Sequence, residues 1–296
     1  MNSVNDILSK GCLVVLSISM YGASKKIAKN IMKERVGKHT KGSKKLLPDG
    51  ALSEINSVKS AAVGWLDAIS LPFPIRGARF IPFDRVEEAD EILMNYQRRF
   101  NASVQEFAEV FEDRIEERRP QLEEDGLWDP NDYPRDVRTK FGFSWKFISI
   151  DAPSTEGNVL TPEFIKREQQ KFIATLNEAK DMALNALRQE FYGIIEHAAE
   201  ILTDKDKSGK RKKFNDSTID KFYDFFENFT SRNCFGDSEL EEIIEKAMEV
   251  MSGVDASDLR GDDEFRREIQ EGLSKVKKEM DDAGIVKVGR KLNLLD

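Results

Sequence analysis

The most constraining feature of the chain is the stretch from residue 161 to residue 203, which the sequence predicts as one uninterrupted helix. Thr161 and Pro162 suit its beginning, because threonine caps helix N-termini and proline favours the first helical position. At the rise of an α-helix this stretch would be roughly 65 Å long. An average globular helix has only about 11–12 residues. A helix this long favours an arm or bundle element that builds assemblies over the scaffold of a pocket.

An apolar stripe follows one face of this predicted helix. Packing of such a face, more than intrinsic propensity, stabilises helices in proteins. Further helices are predicted over Thr218–Arg232, Asp237–Ser252 and Asp262–Asp282, and they are too short to cover the whole stripe. The pattern therefore predicts self-association or a protein partner at the stripe, whose members are Ile165, Phe172, Leu176, Ala179, Ala183, Leu187, Ile194, Ala198 and Ile201.

The first half of the chain mixes strand and helix signals. Cys12–Tyr21 is rich in β-branched and aliphatic residues and lies between two glycines, which is typical of a buried strand. Ala78–Phe83 predicts a second, shorter strand. Helical patterns follow Ser24, which would cap a helix to about Arg35, and run from Pro48 to about Ile69 and from Arg85 to Arg119.

The clearest strand signal comes from Phe141, Phe143, Trp145 and Phe147, which alternate with smaller or polar residues. Period-two alternation places all four rings on one face of a strand. Such a face is usually part of a core. Phe141 and Phe143 also match the centre of an RNA-recognition strand, whose aromatics stack on bases, but Lys140 stands where that motif has glycine.

These patterns predict an α+β fold that is mostly α. We expect a small β-sheet covered by helices, followed by a helical region with one long helix of about 40 residues. The first domain would span residues 1–157, with two or three strands and a basic N-terminal helix and loop. The second would span residues 158–296 and contain the long helix at 161–203.

Charge is unevenly distributed along a chain whose net charge is −8. Residues 1–60 carry 11 Lys/Arg against 4 Asp/Glu, a balance of +7, which leaves −15 for the remainder. Several lysines acting together can contact phosphates. The alternative is a solvated face that balances the acidic remainder, within the chain or across an oligomer. The candidate phosphate or nucleic-acid contacts are Lys25, Lys26, Lys29, Lys33, Lys38, Lys41, Lys44 and Lys45.

The sequence predicts no catalytic constellation, no metal site and no cofactor. Cys12 and Cys234 are too few for a disulfide framework and fit a reducing cytosol. Asp204–Asn215 resembles the first half of a calcium loop, but Asn215 replaces the bidentate glutamate and four basic residues fill the second half. The longest apolar run, Cys12–Leu16, is far too short for a membrane span. We expect a cytoplasmic protein that is not an enzyme and does not engage a membrane.

Four segments follow the opening strand in a recognisable order: Tyr21–Lys26, Leu46–Pro48, Gly77–Phe83 and Phe141–Phe147. In this order the chain resembles, over about residues 10–290, a family of uncharacterised bacteriophage and bacterial proteins known only as a domain of unknown function. Members of that family are often encoded near MoxR-type AAA+ ATPases and von Willebrand A-type proteins. The resemblance implies a partner in a chaperone-like or remodelling system and transfers no functional residue.

Together, the residues and the resemblance predict a non-enzymatic phage or prophage accessory protein in the host cytoplasm. It would act through protein–protein contacts, as an oligomer or with an AAA+ ATPase partner. The alternative is a nucleic-acid-binding protein that uses the basic segment at residues 25–45.

Overall fold

A computed structural model describes residues 10–35, 39–152, 161–203 and 214–285 of the chain. The chain is mostly helical, with a small antiparallel sheet and one long helix, so the predicted fold class is confirmed. The strands are β1 (Gly11–Ser19), β2 (Ser24–Lys26), β3 (Ser43–Lys45), β4 (Leu71–Pro72), β5 (Ala78–Pro82) and β6 (Gly142–Ile148). The α-helices are α1 (Lys29–Arg35), α2 (Ser53–Ile69), α3 (Val86–Glu109), α4 (Phe111–Glu124), α5 (Pro162–Thr203), α6 (Asp216–Arg232), α7 (Ser238–Met251), α8 (Ala256–Gly261) and α9 (Asp263–Asp282).

The strands form two sheets. Four of them lie in the order β4-β5-β1-β6, and β2 pairs with β3 in a separate antiparallel sheet. The three strands predicted from the sequence are confirmed as β1, β5 and β6. The prediction of two or three strands missed β2, β3 and β4, because strands of two or three residues leave no periodic pattern in the sequence.

The segment after Ser24 is not helical from its start, as the sequence predicts, but begins as the strand β2. Its backbone is held by pairing with a segment about twenty residues further along the chain. The Ile27 amide donates to the Gly42 carbonyl at 2.9 Å, and the Leu46 amide donates to the Ala23 carbonyl at 2.9 Å. These contacts outweigh the helical pattern, and the helix α1 starts only at Lys29.

The predicted helix from Arg85 to Arg119 is two helices, α3 and α4, which are separated at Val110. The predicted stop at Pro120 is also wrong, since Pro120 lies inside α4. A proline inside a helix removes one backbone hydrogen bond and its ring crowds the preceding turn, which is why the sequence predicted a stop. Here the helix continues four residues beyond it to Glu124.

The chain divides into two compact units that interleave along the sequence. The unit that we call the basic unit comprises Val14–Asp67 and Val86–Phe147. The long-helix unit comprises Met1–Leu13, Ala68–Arg85 and Ile148–Asp296. This division differs from the predicted one into 1–157 and 158–296, whose boundary lies outside the described residues.

The core of the basic unit is aromatic. Phe143 of β6 is buried, and its ring centroid lies 5.6 Å from that of Phe100 in α3. Trp145 is half-buried against Phe143, and its indole Nε1 donates to Asp90 at 2.7 Å. These contacts support the core interpretation of the aromatic face, because rings packed on α3 are not free to stack on bases.

The long helix is confirmed as α5, and most of its stripe is covered within the chain, while Phe172, Ile194 and Ile201 are half-buried. Helices α6 and α9 pack along it, and Leu176, Ala183, Leu187 and Ala198 are buried. The ring of Phe191 stacks on Phe225 of α6 with centroids 5.2 Å apart. Self-association stays a prediction, and it needs a surface other than this stripe. None of the helices described here is both long and apolar enough to cross a membrane.

Candidate functional site

The basic segment folds as the unit β2-α1-β3, with the helix α1 between the two strands. The register of the strands places Lys25 directly opposite Lys44. Like charges in directly opposed positions of a sheet repel and destabilise it. The pairing of β2 with β3 therefore needs a compensating negative charge.

Asp132 supplies that charge. Its Oδ1 lies 2.5 Å from the Nζ of Lys25, and its Oδ2 contacts the Nζ of Lys44. Lys44 also donates to the backbone carbonyl of Leu127. The Asp132 side chain is only 4% exposed and that of Lys44 10%, whereas Lys25 is half exposed. We call Lys25, Lys44 and Asp132 the Asp132 cluster, and it fastens the strand pair to the loop that follows α4.

The ionisation of these groups follows from their surroundings. Burial disfavours the charged form of Asp132, but the hydrogen bonds and charges of Lys25 and Lys44 outweigh it, so the pKa of Asp132 lies below its ordinary value. The hydrogen bond to Asp132 raises the pKa of Lys25. Burial, with the nearby negative charge of Asp132, raises the pKa of Tyr133 to about 12. Asp132 is thus ionised at neutral pH in the folded chain.

The candidate lysines fall into three groups. Lys25 and Lys44 belong to the Asp132 cluster, and Lys45 forms an exposed ion pair with Asp49 at 2.6 Å. The side chain of Lys33 and the whole of Lys38 lie outside the described residues. The remaining three are exposed and lie around one concave surface: Lys26, Lys29 and Lys41.

This surface, which we call the basic groove, has a volume of about 700 Å³. Its apolar floor includes Ile27 and Met32, and Met32 is buried. Gly42 lies so close to this floor that a Cβ there would be 3.0 Å from the Met32 sulfur and 3.3 Å from Ile27 Cδ1. No carboxylate is among the described residues that line it, which are Lys26, Ile27, Ala28, Lys29, Met32, Thr40, Lys41, Gly42 and Ser43.

A second cavity of about 380 Å³ adjoins the Asp132 cluster. Trp128 forms part of its wall, with its ring 5.4 Å from that of Tyr133 and 5.0 Å from the Arg119 guanidinium carbon. The Tyr133 hydroxyl donates to the Leu46 carbonyl at 3.0 Å. Asp132 already pairs with both Lys25 and Lys44 here, so this region is a structural joint that connects the strand pair to the loop after α4.

Sequence reasoning found the lysines but missed Asp132 and the loop around Trp128. Nothing in the local pattern of Trp128–Tyr133 marks one carboxylate as buried, and its partners lie about 90 to 110 residues earlier in the chain. The apolar residues beside the lysines, Ile27 and Ile31, were visible as a short stripe. Ile27 of that stripe lines the groove and Ile31 lines the adjoining cavity, so the stripe marks the apolar surface of this region.

Metal ligands are not assembled in the part of the chain that the structure describes. No group of three or more His, Cys, Asp or Glu residues there could hold an ion. The predicted absence of calcium binding at Asp204–Asn215 falls on a segment of which only the end, from residue 214, is described. It stays a prediction.

Fold and groove together define a mostly helical α+β protein with a small sheet, a long helix and a lysine-rimmed apolar surface. The chain belongs to the family described as "Protein of unknown function (DUF3150)", whose model matches residues 8–203. The match therefore ends at the C-terminal end of α5 and is shorter than the resemblance over residues 10–290. No curated protein and no solved structure matches the chain.

Proposed function

We propose that the protein is a non-enzymatic cytoplasmic accessory protein that acts through protein–protein contacts, and that the basic groove is the contact surface. One observation carries this proposal: a groove with an apolar floor, in which Ile27 is half-buried, lies beneath three exposed lysines that have no carboxylate beside them in the described lining. Removing apolar surface from water is favourable and drives binding. A charged rim then favours a partner of opposite charge. A protein segment offers both apolar side chains and carboxylates.

The groove suits a protein better than a nucleic acid. Lys25 and Lys44 are engaged by Asp132, and Lys45 is engaged by Asp49, so three of the candidate phosphate contacts are already paired. The described lining contains no aromatic ring on which a base would stack. The net charge of −8 also opposes the approach of a polyanion. Nucleic-acid binding through residues 25–45 is the alternative function.

The finer parts of the proposal are a phage or prophage origin, an AAA+ ATPase as partner, and assembly as an oligomer. The first two rest on the family resemblance of the sequence. Assembly rests on the uneven distribution of charge along the chain.

The test is co-purification of the tagged full-length protein from native cells, followed by mass spectrometry. The groove variant carries Lys26→Glu, Lys29→Glu and Lys41→Glu. A matched control carries the same charge change at exposed positions elsewhere on the basic unit: Arg135→Glu, Lys140→Glu and Lys146→Glu. We expect a partner that the wild type and the control retain and the groove variant loses. Equal recovery of every partner by all three proteins would contradict the proposal.

A further inference from the structure

We infer that the basic groove binds helix α7 of a second copy of this chain. The inference rests on the proposed function, since it names the occupant of the same groove. The observations that support it are the outer face of α7, the contacts that hold α7 on α9 and on Arg188 of α5, and the complementary charges of the two surfaces.

The outer face of α7 combines carboxylates with one exposed apolar side chain. Glu241, Glu245 and Met248 are spaced by four and three residues and so lie in one row on the helix, with Glu249 beside Met248. Met248 is 46% exposed, although it belongs to a helix whose inner side is fully packed. That inner side consists of Leu240, Ile243, Ile244, Ala247 and Met251.

Helix α7 is held firmly from within its own unit. Asp237 caps its N-terminus by accepting from the Leu240 amide at 3.2 Å. The same carboxylate accepts from Nε of Arg188 on α5 at 2.5 Å and from Nη2 of that arginine at 2.7 Å. Lys246 reaches Glu279 of α9 at 2.5 Å, so the one lysine of α7 is engaged away from the outer row. The row is therefore a preformed acidic surface on a rigid helix.

The two surfaces are complementary in chemistry and charge. The groove presents Lys26, Lys29 and Lys41 around an apolar floor, and the helix presents carboxylates around one methionine. Methionine is flexible and polarisable, and it fills irregular apolar gaps well. A single exposed ion pair contributes little binding free energy. The contact therefore needs several ion pairs acting together and the burial of Met248 in the groove on binding. The net charge is +7 for residues 1–60 and −15 for the remainder of the chain, so the basic region of one copy attracts the acidic region of another.

Such a contact joins two different surfaces of the same chain. Two copies can pair reciprocally, groove to helix in both directions, or associate head to tail into a larger ring or an open chain of copies. Because the contact depends on opposite charges at an exposed rim, added salt should weaken it.

The experiment is sedimentation velocity of the full-length protein, from micromolar to near-millimolar concentration and at low and high salt. The groove variant (Lys26→Glu, Lys29→Glu, Lys41→Glu) is compared with a helix variant (Glu241→Lys, Glu245→Lys, Glu249→Lys). The wild type and the control with Arg135→Glu, Lys140→Glu and Lys146→Glu should show a sedimentation coefficient that rises with concentration. Each charge-reversed variant alone should lose that rise.

An equimolar mixture of the two variants restores opposite charges at every contact, so it should recover the wild-type rise. Circular dichroism and melting temperature show whether each variant is folded, and recovery in the mixture demonstrates the same. A wild type that stays monomeric throughout, variants that associate like the wild type, or a mixture without recovery would each overturn the inference. If the groove variant nevertheless loses a protein partner in the co-purification test, the proposed function survives and only the second copy as occupant fails.

Discussion

At the scale of single residues, Asp132 resolves a conflict that the sheet itself creates. The register of β2 and β3 sets two lysines face to face, and one buried carboxylate between them allows the strands to pair. Removing one member of a buried ion pair leaves the others uncompensated. The stability of the whole groove therefore depends on a residue that lies outside the basic segment.

We expect Asp132→Asn to lower the free energy of unfolding by about 2–3 kcal/mol at neutral pH, below the usual range for fully buried pairs because Lys25 can turn to solvent. Denaturant titration measures this change. The control is Asp49→Asn, which removes an exposed carboxylate from Lys45 and should leave stability unchanged. Equal effects of the two substitutions would show that the Asp132 cluster is no more than a surface ion pair.

The pH dependence of this effect has a definite sign. The pKa of Asp132 is lowered in the folded chain, so its stabilising contribution is present above the unfolded pKa of about 3.9. It is lost as the pH falls through the folded pKa, where the carboxylate becomes protonated. We therefore expect the stability difference between the wild type and Asp132→Asn to shrink below about pH 4. A difference that stays constant into that range would contradict the assignment.

Trp145 tests whether the aromatic face of β6 is a core. We expect Trp145→Ala to lower the free energy of unfolding by about 2–4 kcal/mol, somewhat less than for a fully buried tryptophan. Trp145→Phe keeps a ring but loses the hydrogen bond to Asp90 and part of the packing of the indole, so its cost should be smaller than that of Trp145→Ala. Thermal and denaturant unfolding of both variants give these values. A stable Trp145→Ala protein that had lost nucleic-acid binding would instead identify a stacking platform.

At the scale of elements, two glycines in helices of the long-helix unit have opposite roles. A Cβ on Gly272 of α9 would lie 2.7 Å from Cγ1 of Val250 on α7, whereas a Cβ on Gly193 of α5 would meet nothing within 4 Å. Valine has little rotamer freedom in a helix, so it cannot move aside easily. Close packing of α7 on α9 thus requires the glycine at 272 and gives no reason for the one at 193.

We expect Gly193→Ala to raise the free energy of unfolding by about 0.5–1 kcal/mol, because alanine restricts the unfolded chain and favours helix. Gly272→Ala carries the same gain but must push α7 from α9, and we expect a net loss of about 1–2 kcal/mol. Melting temperatures of the two variants should therefore move in opposite directions. A parallel increase would mean that α7 and α9 can separate without cost.

The elements also show which sequence signals are reliable. The long helix has many apolar residues at helical spacing, and its predicted bounds agree with α5. The break at Val110 and the pairing of β2 with β3 have no comparable periodic signal in the sequence. Periodicity over many residues predicts an element well, and short strands escape it.

At the scale of the whole molecule, charge separates the two proposed classes of partner. We expect no binding, or only weak binding, to single- or double-stranded DNA probes near 0.15 M salt, the physiological reference. Fluorescence anisotropy at several salt concentrations measures it. If the lysines did neutralise phosphates, the log–log slope against salt would be about −0.9 for each phosphate on duplex DNA. Submicromolar binding that is abolished by Lys26→Gln, Lys29→Gln and Lys41→Gln together would identify the groove as a nucleic-acid-binding surface.

The sequence by itself determined the fold class, the long helix and the concentration of lysines near the start of the chain. These are properties of composition and local periodicity, and they do not depend on what the chain packs against. It did not determine that α6 and α9 cover the stripe of α5, because coverage depends on packing between segments far apart in sequence.

Only the tertiary structure decided which lysines are available. Lys25 and Lys44 both form ion pairs with Asp132, which lies 107 residues after Lys25 in the sequence. Lys26, Lys29 and Lys41 remain exposed, because β2, α1 and β3 bring them around one apolar floor. Burial and pairing are long-range properties, so identical side chains in one short segment acquired different roles.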